Sequence, residues 1–174
     1  NFLEFKKKIV AKKKIFFDNQ DYKIFLYYLK IYLASPKDVS HAYPQLPIRL
    51  QAKNLNDQIV LISYCLMPNH FHFLLKQSTK DAVPKLMKQL TNAYTLYFNQ
   101  KYKRTGPLFE GRYKTVRISS DELLLHISRY IHLNPFASNL INNPESYQWS
   151  SLKSYSTDRS EEIINQKVIL SLVK

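Results

Sequence analysis

Ile59-Val60-Leu61-Ile62-Ser63-Tyr64-Cys65-Leu66-Met67-Pro68-Asn69-His70-Phe71-His72-Phe73-Leu74-Leu75-Lys76 contains two strands and the turn between them. Ile59 to Met67 is a continuous apolar run, short and rich in β-branched and aromatic residues, as expected of a strand buried on both faces. Pro68-Asn69 is a turn signal. The turn is too short for a crossover, so His70 to Lys76 returns antiparallel to the first strand. Side chains alternate along a strand. His70 and His72 therefore share one face and Phe71 and Phe73 share the other.

Downstream of this hairpin, Val83, Leu86, Leu90, Ala93, Tyr94, Tyr97 and Phe98 keep a 3.6-residue stripe, which predicts a helix from about Lys80 to Tyr102. Lys85, Lys88, Gln89 and Asn92 lie off that stripe. A basic loop spans 101–107, and Arg112 to Ile118 reads as a further strand. Ser119 stands three residues before Glu122, the capping-box spacing, and opens a helix through Leu133 that Pro135 ends. Residues 136–174 are turn-rich and weakly helical near Glu161 to Val173. Upstream, Asp18-Asn19-Gln20-Asp21 starts a helix that Pro36 ends. Residues 35–57 carry three prolines and read as a long loop. Residues 1–14 mix apolar residues with two runs of three lysines, and fit either one strand or a charged, frayed terminus. The order (β)αββαβα predicts an α+β fold with a ferredoxin-like antiparallel sheet and flanking helices. No composition break separates a second domain. The expected division is a main domain over 1–155 and a weakly helical tail over 156–174.

Composition bounds the function. Of 174 residues, 26 are Lys or Arg and 13 Asp or Glu, a net charge of +13. Such an excess points to an anionic partner. The 45% hydrophobic content supports a buried core. Gly106 and Gly111 are the only glycines, too few for a dinucleotide fingerprint or a Walker-type loop. The single Cys65 excludes a disulfide framework and a cysteine-based zinc finger. No run approaches the roughly 18 apolar residues of a membrane span, and nothing reads as a secretory signal, so the expected location is the cytoplasm.

Two imidazoles one residue apart on a strand can chelate one cation, with a further ligand supplied from elsewhere in the chain. His126, Tyr130 and Asn134, at i, i+4 and i+8, share a helix face. The Tyr130 oxygen can attack phosphorus. The Asn134 carbonyl is a hard ligand suited to Mg²⁺ or Mn²⁺. His126 is either an acid–base group or a helix-surface histidine. His132 points away from Tyr130. Lys101, Lys103, Arg104, Arg112, Lys114 and Arg117, interleaved with Tyr102, Phe109 and Tyr113, suit phosphate neutralisation and base stacking, and so single-stranded nucleic acid.

The segment Tyr64 to Leu75 resembles the His-hydrophobe-His (HUH) strand of single-tyrosine transposases, the IS200/IS605-like group. Arg104-Thr105-Gly106-Pro107-Leu108-Phe109-Glu110-Gly111-Arg112-Tyr113-Lys114 resembles their next signature, and Arg129-Tyr130-Ile131-His132-Leu133-Asn134-Pro135 the helix of their tyrosine. Trp149-Ser150-Ser151 is similar to a segment of the branch associated with repetitive extragenic palindromes. The resemblance spans about residues 15 to 155. It implies an HUH endonuclease-like fold and a Mg²⁺- or Mn²⁺-dependent transposase that nicks and rejoins hairpin-bearing single-stranded DNA. It further implies His70, His72 and Asn134 as metal ligands and Tyr130 as the nucleophile of a 5′-phosphotyrosine intermediate. Members act as homodimers or as monomers. Residues 1–14 depart from the family pattern, lacking its first glycine turn. A catalytically degenerate module that only binds hairpin DNA is the alternative.

Overall fold

The computed structural model describes residues 2–8 (4–8 as backbone), 14–109, 111, 113–157 and 161–173. Four strands, β1 (Phe2–Lys8), β2 (Ile59–Met67), β3 (His70–Gln77) and β4 (Lys114–Ile118), form one sheet in the order β2-β3-β1-β4. Every neighbouring pair is antiparallel. This is the strand order of a ferredoxin-like sheet, with β1 inserted between the hairpin and the last strand. The lysine-rich start of the chain is thus an inner strand.

Helices α1 (Asn19–Leu33) and α4 (Ala82–Lys101) cover the face that carries Phe71 and Phe73. The core there is aromatic. Phe25 lies 5.0 Å from Phe71 and 5.1 Å from Tyr94, ring to ring. Helix α5 (Asp121–Ala137) covers the other face, burying Leu124, Ile127 and Ile131 against Ile62, Cys65, Met67 and Leu74. The sheet therefore has helices on both sides and an apolar core on each.

Local chemistry accounts for the helix ends, including three that differ from expectation. Asp18 caps α1 where the sequence indicates a helix start, and the structure adds a reciprocal box with Asp21. Residues 35–57, expected as a loop, hold two short helices, α2 (Pro36–Ala42) and α3 (Ile48–Gln51). Pro36 ends one helix and also begins the next: it occupies the first turn of α2, where its missing N–H costs nothing, behind the Ser35 cap. The cap of α5 is Ser120, whose side chain accepts from Leu123 N at 3.2 Å, one residue after the expected Ser119. Nor does α5 stop at Pro135. It runs to Ala137, and the chain leaves it at Asn139, which takes the left-handed conformation (φ 54°) of a helix C-terminus.

Residues 149–151 run beside β2: Leu66 N donates to Trp149 O at 2.8 Å and Ser151 N to Tyr64 O at 3.1 Å. They cover an otherwise open sheet edge. Helix α6 (Leu152–Ser156) follows, across the expected 155/156 boundary, and α7 (Lys167–Leu170) comes last. Ile163 and Ile164 join the aromatic core and Ile169 the α5 core. No helix among the described residues is long and apolar enough to cross a membrane.

Candidate active site

Strand β3 presents the histidines on the α5 side of the sheet. His72 is fully buried and His70 half-buried. Their Nε2 atoms converge to 3.1 Å. His70 Nδ1 lies 2.7 Å from Asn69 Oδ1. That oxygen can only accept, so Nδ1 donates and carries a ring proton. Asn69, a turn residue by sequence, orients the first histidine, as outer groups do at metal sites.

Tyr130 arrives from α5. Its ring stands edge-on to His72, 5.6 Å between centroids at 86°. Tyr130 keeps 42% of its surface exposed, a high value for a large side chain beside a buried histidine. Asn134 lies one helical turn on and is buried. His126 is exposed one turn before. The fold thus brings His70, His72 and Tyr130 together and sets Asn134 on the same helix face.

His132 turns the other way, as its spacing from Tyr130 predicts. Its Nε2 meets Ser151 Oγ at 2.9 Å and its ring packs on Tyr155. Burial pushes its pKa down to about 4, so at neutral pH it is an uncharged tie between α5 and the 149–151 segment.

Strand register adds residues that spacing alone leaves without a role. Lys6 is the cross-strand partner of His72 and Lys8 that of His70, while Lys6 also pairs with Lys114 of β4. Directly opposed residues of an antiparallel pair share a sheet face. A row of lysine positions therefore crosses the sheet beside the histidines. The signal is the Lys-Lys-Lys of the first strand, but only its register gives it meaning.

The described members of the basic cluster at 101–117 have unlike surroundings. Lys101, expected to meet phosphate, is instead held by Asp18 (2.7 Å) and the fully buried Asp21 (2.8 Å). Desolvation opposes its charge, but the hydrogen bonds to Asp18 and Asp21 outweigh it and raise its pKa above the usual lysine value. Two of the aromatic residues expected to stack on bases also face inward. Tyr102 Oη donates to Asp21 at 2.8 Å, and Phe109 packs 6.1 Å from Phe71. Lys103 is exposed in the left-handed conformation that ends α4 (φ 50°), and Arg104 lies over the Phe98 ring at 5.5 Å. Lys114 and Arg117 are exposed on β4 three residues apart, so alternation sends them to opposite faces. Arg112 lies outside the described residues.

For a cation, the donors brought together are two imidazoles, and the Asn134 amide stands on α5 one helical turn beyond Tyr130. Among the described residues no three His, Cys, Asp or Glu side chains come together. With bonds of about 2.1 Å, neighbouring corners of an octahedron lie about 3 Å apart, so the 3.1 Å Nε2 spacing suits two such corners. Imidazole nitrogens suit transition-metal ions, and an amide oxygen is the harder donor that Mg²⁺ or Mn²⁺ takes.

A paired-histidine strand faced by a helix-borne tyrosine, on this four-stranded sheet, is the arrangement that the resemblance to single-tyrosine transposases leads one to expect. A family model described as transposase, IS200-like, matches residues 43–134, more than half of the chain and all four of His70, His72, Tyr130 and Asn134. The chain belongs to the IS200-like transposase family. Among solved structures it is similar to the REP-associated tyrosine transposase bound to a REP hairpin. That match has a TM-score of 0.57 and 11% identity, covering 94% of this chain and 84% of that one. At that identity the likeness is one of fold. No curated protein matches the sequence.

Proposed function

We propose that this transposase nicks and rejoins hairpin-bearing single-stranded DNA, with Tyr130 as nucleophile. The observation that supports this reading is the edge-on packing of the Tyr130 ring against His72, whose Nε2 lies 3.1 Å from that of His70. The similar solved structure holds a hairpin, which supports the same kind of DNA partner here.

His70, His72 and Asn134 would hold the divalent cation. When bound, the cation would polarise the scissile phosphate and offset its developing charge. Asn69 fixes the His70 ring, so that donor is set before DNA arrives. Tyr130 is exposed enough to receive a strand and give its proton to solvent. Its oxygen forms a bond to phosphorus as the P–O3′ bond breaks, and the departing 3′ oxygen takes up a proton. The 5′-phosphotyrosine conserves the energy of the broken phosphodiester, so a second 3′-hydroxyl can reverse the step without a nucleotide cofactor. This agrees with the lack of a phosphate-binding loop in a chain with two glycines.

The test mixes labelled hairpin oligonucleotides with the protein and Mg²⁺ or Mn²⁺. A covalent protein–DNA adduct is expected, abolished by chelation and by Tyr130→Phe, which removes only the attacking oxygen. An adduct that persists in Tyr130→Phe assigns the nucleophile elsewhere. Hairpin binding by the native chain without any adduct identifies a binding module instead.

A further inference from the structure

On the opposite side of the molecule from His70, His72 and Tyr130, the outer surface of the α1/α4 layer carries a groove of about 680 Å³. Arg49 from α3, Lys53 just beyond it, and Lys85 and Lys88 from α4 rim a floor that is largely apolar, made by Tyr28 and the almost wholly buried Tyr32 of α1 with Leu50, Ala93 and Leu96. Gln89 and Asn92 of α4 also line it, and among the described residues no carboxylate does. Lys85, Lys88, Gln89 and Asn92 are the α4 residues that lie off its apolar stripe.

The placement is systematic. Lys85 and Lys88 are one helical turn apart, about 4.5 Å along the axis, and Asn92 continues the row. Arg49, Lys53, Lys85 and Lys88 are all exposed, and none of them is ion-paired among the described residues. A solvated helix face in a folded protein commonly mixes signs, pairing Glu with Lys one turn on. Here all the charges have one sign, gathered in a concave site from α3, the turn after it and α4. Arg, Lys, Tyr, Asn and Gln are the side chains that bond phosphate oxygens in protein–DNA contacts. A concave cationic site also concentrates field and counter-charge more than a flat one.

We propose that this groove is a second DNA-contact surface, which grips the sugar–phosphate backbone of the hairpin stem while the single strand enters the histidine–tyrosine site across the sheet. The proposal rests on the reading of the chain as a hairpin-acting transposase. It divides the work: the groove anchors DNA by charge without reading sequence, and the catalytic face handles the strand that is cut. It also gives a role to cations that the 101–117 cluster does not account for.

The experiment compares the native chain with Lys85→Ala/Lys88→Ala and with a control, Lys37→Ala/Lys153→Ala, on two probes. One is a labelled hairpin, titrated over a range of salt concentrations. The other is a short single strand with no stem, scored for adduct formation. Removing one phosphate-binding cation should lower the slope of log K against log salt by about 1. The Lys85/Lys88 variant should therefore show a slope smaller by about one to two, and roughly tenfold weaker hairpin binding at moderate salt, with unchanged adduct on the stemless strand and an unchanged Tm. An unchanged slope overturns the proposal and leaves the proposed function standing. Equal effects in the control overturn it too, because they mean a diffuse field rather than a groove. Weakened hairpin binding in the Lys85/Lys88 variant alone, from a native chain that makes no adduct, sinks the nicking reaction and keeps the groove. A native chain that binds no hairpin even at low salt removes both.

Discussion

At the scale of single residues, Lys101 shows how a charge is committed before any ligand arrives. Asp21 is fully buried and accepts from Phe17 N, Tyr97 Oη and Tyr102 Oη as well as from Lys101. Among the described residues, Lys101 is the cation that balances this carboxylate. Lys101→Met keeps the stem and strands the buried charge, which should cost on the order of 2 kcal/mol, a fall of roughly 4–8 °C in Tm. The salt dependence of hairpin binding should stay as in the native chain. The hydrogen bond from Lys101 also holds the Asp18 carboxyl below its ordinary value of 3.8. A depressed carboxylate contributes stability above its unfolded pKa, and that contribution is lost as pH falls through the folded one. The gap between native and variant should therefore narrow below about pH 4, as read from urea midpoints at several pH values. None of this is legible from the sequence, in which Lys101 is simply the first of a basic run. Its partners lie some eighty residues earlier. The inward-facing rings of Tyr102 and Phe109 are hidden for the same reason, since an aromatic beside a lysine reads alike whether it faces a base or a core.

At the scale of elements, legibility follows the range of the interactions. The β2–β3 hairpin is readable to within a residue because alternation, turn and strand length are all local. The face shared by Tyr130 and Asn134 is readable from helical spacing alone. Helix ends are less so. Pro36 and Pro135 look alike in sequence, yet one opens α2 and the other sits inside the last turns of α5. The difference is the neighbourhood: Ser35 supplies a cap before Pro36, whereas the stop that follows Pro135 comes only at the left-handed Asn139. Helix α5 carries the proposed nucleophile, so its start can be tested directly. Ser120→Ala removes the bond to Leu123 N and should cost about 1 kcal/mol, or roughly 2–4 °C in Tm. The adduct should still form, because Tyr130 is held by the far half of the helix, where Ile127 and Ile131 pack on the sheet. Thermal unfolding and the adduct assay, run on the same sample, check both halves of this.

At the scale of the whole molecule, β1 is the element that makes one sheet. It pairs with β3 on one side and β4 on the other, so without it the hairpin and β4 have no common partner. Deleting residues 2–8 should abolish the cooperative urea transition, followed by near-ultraviolet circular dichroism, instead of merely shifting its midpoint. A retained transition would mean that the two cores hold without a continuous sheet. The sheet order also imposes a sequence in time. Phe2 pairs with Lys76 and with Ile118, so β1 precedes in the chain every strand that will flank it. An unpaired strand is a template for pairing with other chains, and lysine on its edge discourages that encounter. The Lys6-Lys7-Lys8 run therefore gives this strand the composition that discourages such pairing in the interval before β3 and β4 are made.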